Sequence, residues 1–142
     1  SDGPACNDSQ DLLECAKIGI LLAKHAAADP QALTPSQMLS MLVQTGSALW
    51  SGTPAGQGAP GTWSEGAAGD LVLVDLDNPR CQPVHDVASA LVYCASGADV
   101  HTVIVDGQIL LDAGRVTMLD EKQLLDDCRR AASALMSRAG IA

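Results

Sequence analysis

The chain has 142 residues, with 17 acidic against 8 basic side chains and a net charge of −9. A charge of that sign is repelled by phosphate backbones and by anionic lipid, which argues against a nucleic-acid partner and against a membrane partner. Hydrophobic residues make up 47% of the chain but aromatic ones only 2%, so one domain-sized core built from Leu, Val, Ile and Ala is expected.

The opening stretch SDGPACND is rich in turn formers. Read alone, Asp2-Gly3 is a solvated turn. The first helix follows in SQDLLECAKIGILLAKHAAA, with Ser9 as its cap. Gln10, Glu14, Lys17 and Lys24 fall on one stripe, and Leu12, Leu13, Ala16, Ile20 and Leu22 cover much of the rest. Its apolar run IGILLA falls far short of a ~20-residue membrane span. Asp29-Pro30 ends the helix. TPSQMLSMLVQTGSALW is a second helix, capped by Thr34, with Pro35 at its first position and Gln37 completing a capping box. It fades near Gly46 or runs on to Trp50.

Residues 51–62 are a Gly/Pro-rich connection with no apolar period. Beyond them the pattern changes. DLVLVDL reads as a buried strand, and HDVASALVYCAS as a short helix capped by Asp86. VHTVIVDGQILLDAG reads as two strands joined by an Asp106-Gly107 turn, a strong hairpin signal. RVTML is a short extended piece. Asp120 then caps a last helix, with Leu124, Leu125, Cys128, Ala132 and Leu135 on its core side. Two helices with no strand before them have nothing to cover, and so few strands leave open sheet edges. The order suggests a piece of something larger.

Most candidate motifs have plain readings. Gly56, Gly58 and Gly61 match GxGxxG, but they follow a helix and enclose Pro60, so a linker is expected there rather than a dinucleotide turn. His25, His85 and His101 lack a second ligand at metal spacing. Cys6, Cys15, Cys81, Cys94 and Cys128 are odd in number and irregular in spacing, as free thiols in a reducing cytosol would be. No secretory signal is visible.

Three stretches carry a resemblance. SDGPACNDSQDLLECAKIGILLAKHAAADPQALTP resembles the segment after the eighth barrel strand of amidohydrolase-superfamily deaminases. There a Gly-Thr/Ser-Asp-Gly turn leads through an Asn-containing loop to a helix with an acidic residue near its start. GTWSEGAAGDLVLVDLD is similar to the later Gly-Ser-Leu-x-x-Gly-Lys-x-Ala-Asp-Leu pattern, with Gly61, Thr62, Gly66, Asp70 and Leu71 in register. Ala67 stands where the pattern has Lys, and Gly69 where it has Ala. QPVHDVASALVYCASGADVHTVIVDGQILLDAGRVTMLDE looks like the last part of these enzymes. The resemblance covers essentially the whole chain and is closest to the 5-methylthioadenosine/S-adenosylhomocysteine deaminase and triazine-hydrolase-like group.

The resemblance implies an α/β fold: the C-terminal fragment of a (β/α)8 TIM-barrel amidohydrolase, with part of a composite β-sandwich domain and a terminal helix. Residues 1–50 would end the barrel, 51–61 connect, 62–119 contribute to the sandwich, and 120–142 form the terminal helix. The implied activity is hydrolytic deamination of a purine-nucleoside-like or other N-heterocyclic substrate. It uses one divalent metal, zinc in preference to iron, and metal-activated water. Asp2 would be both metal ligand and catalytic proton carrier. The His ligands would lie upstream, so the implied partner is a missing N-terminal barrel segment, in cis or as a separate chain, and the fragment alone would be inactive. A cytoplasmic homo-oligomer is expected. A chlorohydrolase with the same metal site is one alternative, and a non-catalytic binding or oligomerisation module derived from the family is another.

Overall fold

The first helix begins at Asp11 rather than at Ser9. In the computed structural model, which describes residues 1–45, 63 and 65–141, Asp11 is the N-cap of α1 (Leu12–Ala27). Its Oδ1 accepts from the Leu13 N–H at 2.9 Å and the Glu14 N–H at 3.3 Å. The reason is Gln10, whose φ of 47° turns the chain between the two candidate caps; the Ser9 hydroxyl then donates to the Glu14 carboxylate. At the other end Ala28 enters the left-handed region at φ 51°, and its N–H closes onto the Lys24 and His25 carbonyls.

The second helix, α2 (Pro35–Ser40), starts as its residues require. The Thr34 hydroxyl accepts from the Gln37 N–H, and the Gln37 side chain accepts from the Thr34 N–H. A π-helical turn, Met41–Thr45, continues it. The rest of the expected helix, toward Gly46 and Trp50, lies outside the described residues, as does the GxGxxG stretch.

α3 (Val87–Tyr93) is capped by Asp86 through the Ser89 N–H. It packs with α1 and α2 to form the core, where Ala16, Ile20, Met38 and Val92 are buried and Leu33, Leu39, Leu42 and Tyr93 pack around them. These are the aliphatic residues and Ala that the composition calls for, with one half-buried aromatic ring at the margin.

Four antiparallel strands form a sheet in the order β1 (Leu71–Val74), β2 (Val100–Val105), β3 (Gln108–Asp112) and β4 (Arg115–Val116). β2 and β3 meet at the expected Asp106-Gly107 turn, where both residues have positive φ. That turn is held from outside the hairpin: the Asp106 N–H donates to Asp70 Oδ1 at 2.7 Å and the Gly107 N–H to the Gly69 carbonyl at 3.0 Å. β1 does not match the expectation of a buried strand. Among the described residues it pairs only with β2, and Val72 and Leu73 are more than half exposed.

The last helix, α4 (Glu121–Ala139), is capped by Asp120 as expected, through the Gln123 N–H. It buries none of its residues, so Leu124, Leu125, Cys128, Ala132 and Leu135 do not form a core side within this chain. An amphipathic stripe is buried only where another element covers it, and none of the described elements does. Local ion pairs, Asp126 with Arg129 and Asp127 with Arg130, lie along its polar side.

The architecture is thus mixed helix and sheet. No strand precedes Leu71 among the described residues, so the barrel itself is not shown by this chain. Among those residues no helix is long and apolar enough to cross a membrane.

Candidate functional site

Residues 1–10 form a loop whose shape follows from its turn chemistry. Asp2 has a φ of 63°, in the left-handed region that Asp tolerates better than most side chains. Its Oδ1 accepts from the Gly3 N–H at 2.7 Å, while Oδ2 accepts no hydrogen bond among the described residues. The Gly3 carbonyl then accepts from the Cys6 and Asn7 N–H groups at 2.9 and 3.0 Å, which closes a turn. Asp2 is exposed.

Besides the Ser9–Glu14 bond, side-chain hydrogen bonds tie the loop to its surroundings and to itself. Asn7 Nδ2 donates to Cys15 Sγ on α1 at 3.3 Å. Gln10 Nε2 lies 3.5 Å from the Asp2 carbonyl, closing the loop on itself. Asp11, besides capping α1, accepts the Gly97 N–H on Oδ2 at 2.7 Å. Gly97 opens the 3-10 turn Gly97–Asp99, which leads into β2.

That turn is fixed by Asp99, a buried carboxylate. It accepts from the Ser96 N–H at 2.8 Å, the Ser96 hydroxyl at 3.1 Å, Asn78 Nδ2 at 3.3 Å and the Arg80 guanidinium. Burial pushes its pKa up, but the Ser96 donors and the Arg80 charge outweigh burial and hold the carboxyl below its ordinary value. Asp86 is also held low, chiefly by its hydrogen bonds from Ser89.

The residues singled out by sequence do not converge on one site. His25 is in the last turn of α1, His85 precedes the α3 cap, and His101 is on β2, where its Nδ1 contacts Thr102 Oγ1 at 2.8 Å. Among the described residues no group of three or more His, Cys, Asp or Glu side chains could hold a metal. All five cysteines are free, with Cys81 buried and Cys15 half-buried. Asp2 fits a hard divalent cation as a single oxygen donor and no more. Asp11 and Gly97 have no signal as a pair; only the spacing of Asp11 to Glu14, the acidic form of a capping box, marks Asp11 as the rival to Ser9.

No family model matches the chain. It is 39% identical to the 5'-deoxyadenosine deaminase of Methanosarcina acetivorans, over 98% of this chain and 31% of the relative. It is 34% identical to the 5-methylthioadenosine/S-adenosylhomocysteine deaminase of Dictyoglomus thermophilum, over 97% of this chain and 31% of the relative. The chain therefore spans about a third of the length of the curated relatives it matches. Among solved structures, a zinc-bound adenosine deaminase from Xanthomonas campestris superposes with a TM-score of 0.87 at 29% identity, covering 95% of this chain and 30% of that one. A zinc complex of atrazine chlorohydrolase from Arthrobacter aurescens gives 0.67 at 27% identity, over 81% of this chain and 25% of that one. Residues, fold and relatives agree: along nearly its whole length the chain is similar to one segment of deaminases that fit the amidohydrolase superfamily.

Proposed function

We propose that this chain is the C-terminal part of a metal-dependent aminohydrolase that deaminates an adenosine-like nucleoside. The observation that carries the reading is the 39% identity to a 5'-deoxyadenosine deaminase across 98% of the chain. Deamination is favoured over dechlorination because the likeness to the adenosine deaminase, at a TM-score of 0.87, exceeds that to the chlorohydrolase, at 0.67.

In this reading residues 1–50 end a (β/α)8 barrel, 51–61 connect, 62–119 belong to a composite sandwich, and 120–142 close the chain. A divalent metal, zinc by analogy with the zinc-bound neighbours, supplies Lewis acidity at the site when bound. Asp2 contributes one carboxylate ligand. Its carboxylate also accepts a proton and returns it to the substrate's ring nitrogen or leaving amine, a task suited to a reversible proton carrier at the mouth of a turn. The Gly3 N–H, bonded to Oδ1, orients the carboxylate. The remaining ligands come from the rest of the polypeptide, in cis or as a separate chain, within a cytoplasmic enzyme that is a homo-oligomer.

The test uses the complete polypeptide, of the length of its relatives, assayed with 5'-deoxyadenosine, 5-methylthioadenosine and a triazine, with metal analysis. We expect nucleoside deamination, about one zinc per chain by the single-metal logic of such sites, and at least a hundredfold loss of kcat in Asp2→Asn. The isolated 142-residue chain should be inert. Reproducible turnover by that chain, purified free of any other segment, would overturn the reading.

A further inference from the structure

We infer that Asp11 is a positioning residue for the Asp2 turn and that it acts through its hydrogen bond to the Gly97 N–H. The inference rests on Asp2 serving as proposed above.

The Asp11 carboxylate has two separate engagements. Oδ1 caps α1 through the Leu13 and Glu14 N–H groups, and a helix cap needs nothing more. Oδ2 takes the Gly97 N–H at 2.7 Å, from a residue 86 positions away. That second bond fastens the origin of α1 to the turn before β2. The turn is an unusually firm anchor: Asp99 gathers Ser96, Asn78 and Arg80 around its carboxylate, and its carbonyl accepts the Asp75 N–H at 2.8 Å just past β1.

On the other side of Asp11 stands the loop. Gln10, its immediate neighbour, is left-handed at φ 47°, and the Gln10 side chain reaches the carbonyl of Asp2, itself left-handed at φ 63°. Two non-glycine residues in that region persist only where surrounding contacts over-determine them. The loop's ties to α1 are Asn7 to Cys15 Sγ, which uses a weak sulfur acceptor, and Ser9 to the Glu14 carboxylate, and both move with the helix. Asp11 to Gly97 is the charge-assisted bond that fastens the start of α1 to a different element. Slackening it frees the start of α1, and with it the Gln10 corner from which the Asp2 turn is held. Small misplacement of a reacting group is expensive in rate but need not alter substrate binding.

The experiment breaks the bond from each side in the complete, zinc-loaded polypeptide. Asp11→Asn keeps a cap oxygen but turns a donor toward Gly97. Gly97→Pro removes the N–H and leaves Asp11 intact. Gly97→Ala is the control: it keeps the donor, and its Cβ would sit 3.4 Å from the Asp11 carboxylate, an ordinary contact. With 5'-deoxyadenosine as probe, kcat per zinc-loaded site should fall about tenfold in Asp11→Asn and in Gly97→Pro, with KM within about twofold. Gly97→Ala should match the parent. The double variant should be no slower than the slower single, because both remove one interaction. Unchanged kcat per loaded site in both singles, or losses that multiply in the double, overturns the positioning role. Should Gly97→Pro fail to fold, Asp11→Asn against Gly97→Ala decides. Asp2→Asn run alongside separates the two ideas: if it keeps full turnover, the Asp2 assignment and this inference fall together, whereas its inactivity beside an unaffected Asp11→Asn removes the inference alone.

Discussion

Lys24 Nζ donates to Tyr93 Oη at 2.8 Å and lies 5.5 Å from the centroid of the same ring, joining α1 to α3 across 69 positions of sequence. Both side chains are half-buried at the edge of the helical core. The two parts of the contact are separable. Tyr93→Phe removes the hydroxyl and leaves the ring under the ammonium, whereas Lys24→Met removes both. We expect Tyr93→Phe to cost about 1 kcal/mol and Lys24→Met a further ~0.5 kcal/mol, read from urea unfolding. Equal costs for the two would mean that the ring contributes nothing beyond the hydrogen bond.

Burial divides the apolar residues of this chain into two sets with different expected sensitivities. Ile20 is 0% exposed at the centre of the helical core, and Ile20→Ala should cost about 2–5 kcal/mol. Leu125 is 54% exposed on α4. In the 142-residue chain Leu125→Ala should change stability by less than about 0.5 kcal/mol. In the complete polypeptide the same change should cost about 2 kcal/mol or more, if the rest of the protein covers α4 as an amphipathic helix requires. Equal small costs in both settings would mean that the α4 stripe stays uncovered.

What could be read from the residues in advance divides along the same line between local and distant contacts. Thr34, Pro35 and Gln37 specify a helix start within one turn of chain, and the structure forms it with both reciprocal hydrogen bonds. Asp106-Gly107 specifies its hairpin for the same reason. The cap at Asp11 is harder: Ser9 and Asp11 are both good cap residues, and the choice falls to the left-handed Gln10 between them, which no propensity favours. The Asp11–Gly97 bond has no local signature at all. Periodicity identified the apolar stripe of α4 correctly as a stripe, but not what would cover it. Asp2 is the extreme case. Its Asp-Gly turn chemistry is ordinary, and the role proposed for the carboxylate rests on likeness to a family alone.

Stability should fall as pH drops below about 4, and Asp99 should account for a visible share. Its carboxyl is held below the ordinary value in the folded chain, so its contribution is fully present above the unfolded pKa of about 3.9. It is lost as pH falls below that value and through the folded pKa, where protonation breaks the pairing with Arg80 and the Ser96 bonds. Asp99→Asn should lower stability near neutrality and flatten its dependence on pH below about 4. Asp86, also lowered, keeps part of the slope in that variant. Thermal melts of parent and variant from neutrality down to acid test this, and parallel curves would assign the acid sensitivity elsewhere.

Two glycine-to-alanine changes should have opposite signs. At Gly19, within α1, an added Cβ would meet only Met38 Cε at 3.3 Å, the free end of a flexible side chain. Alanine also gains helix propensity of about 1 kcal/mol over glycine, so Gly19→Ala should be neutral or stabilising. At Gly69 the added Cβ would lie 3.0 Å from the backbone N and 3.4 Å from Cα of Gly107. That backbone cannot yield easily, because the Gly107 N–H is bonded to the Gly69 carbonyl and the adjacent Asp106 N–H to Asp70 Oδ1. This is the position where the family pattern has alanine, and the close approach of the hairpin turn gives the departure a physical reason. Gly69→Ala should destabilise by about 1–3 kcal/mol, the range for forcing extra volume into a packed contact. A melting temperature for Gly69→Ala at or above the parent would show that the hairpin turn shifts freely, and would leave the glycine unexplained by packing.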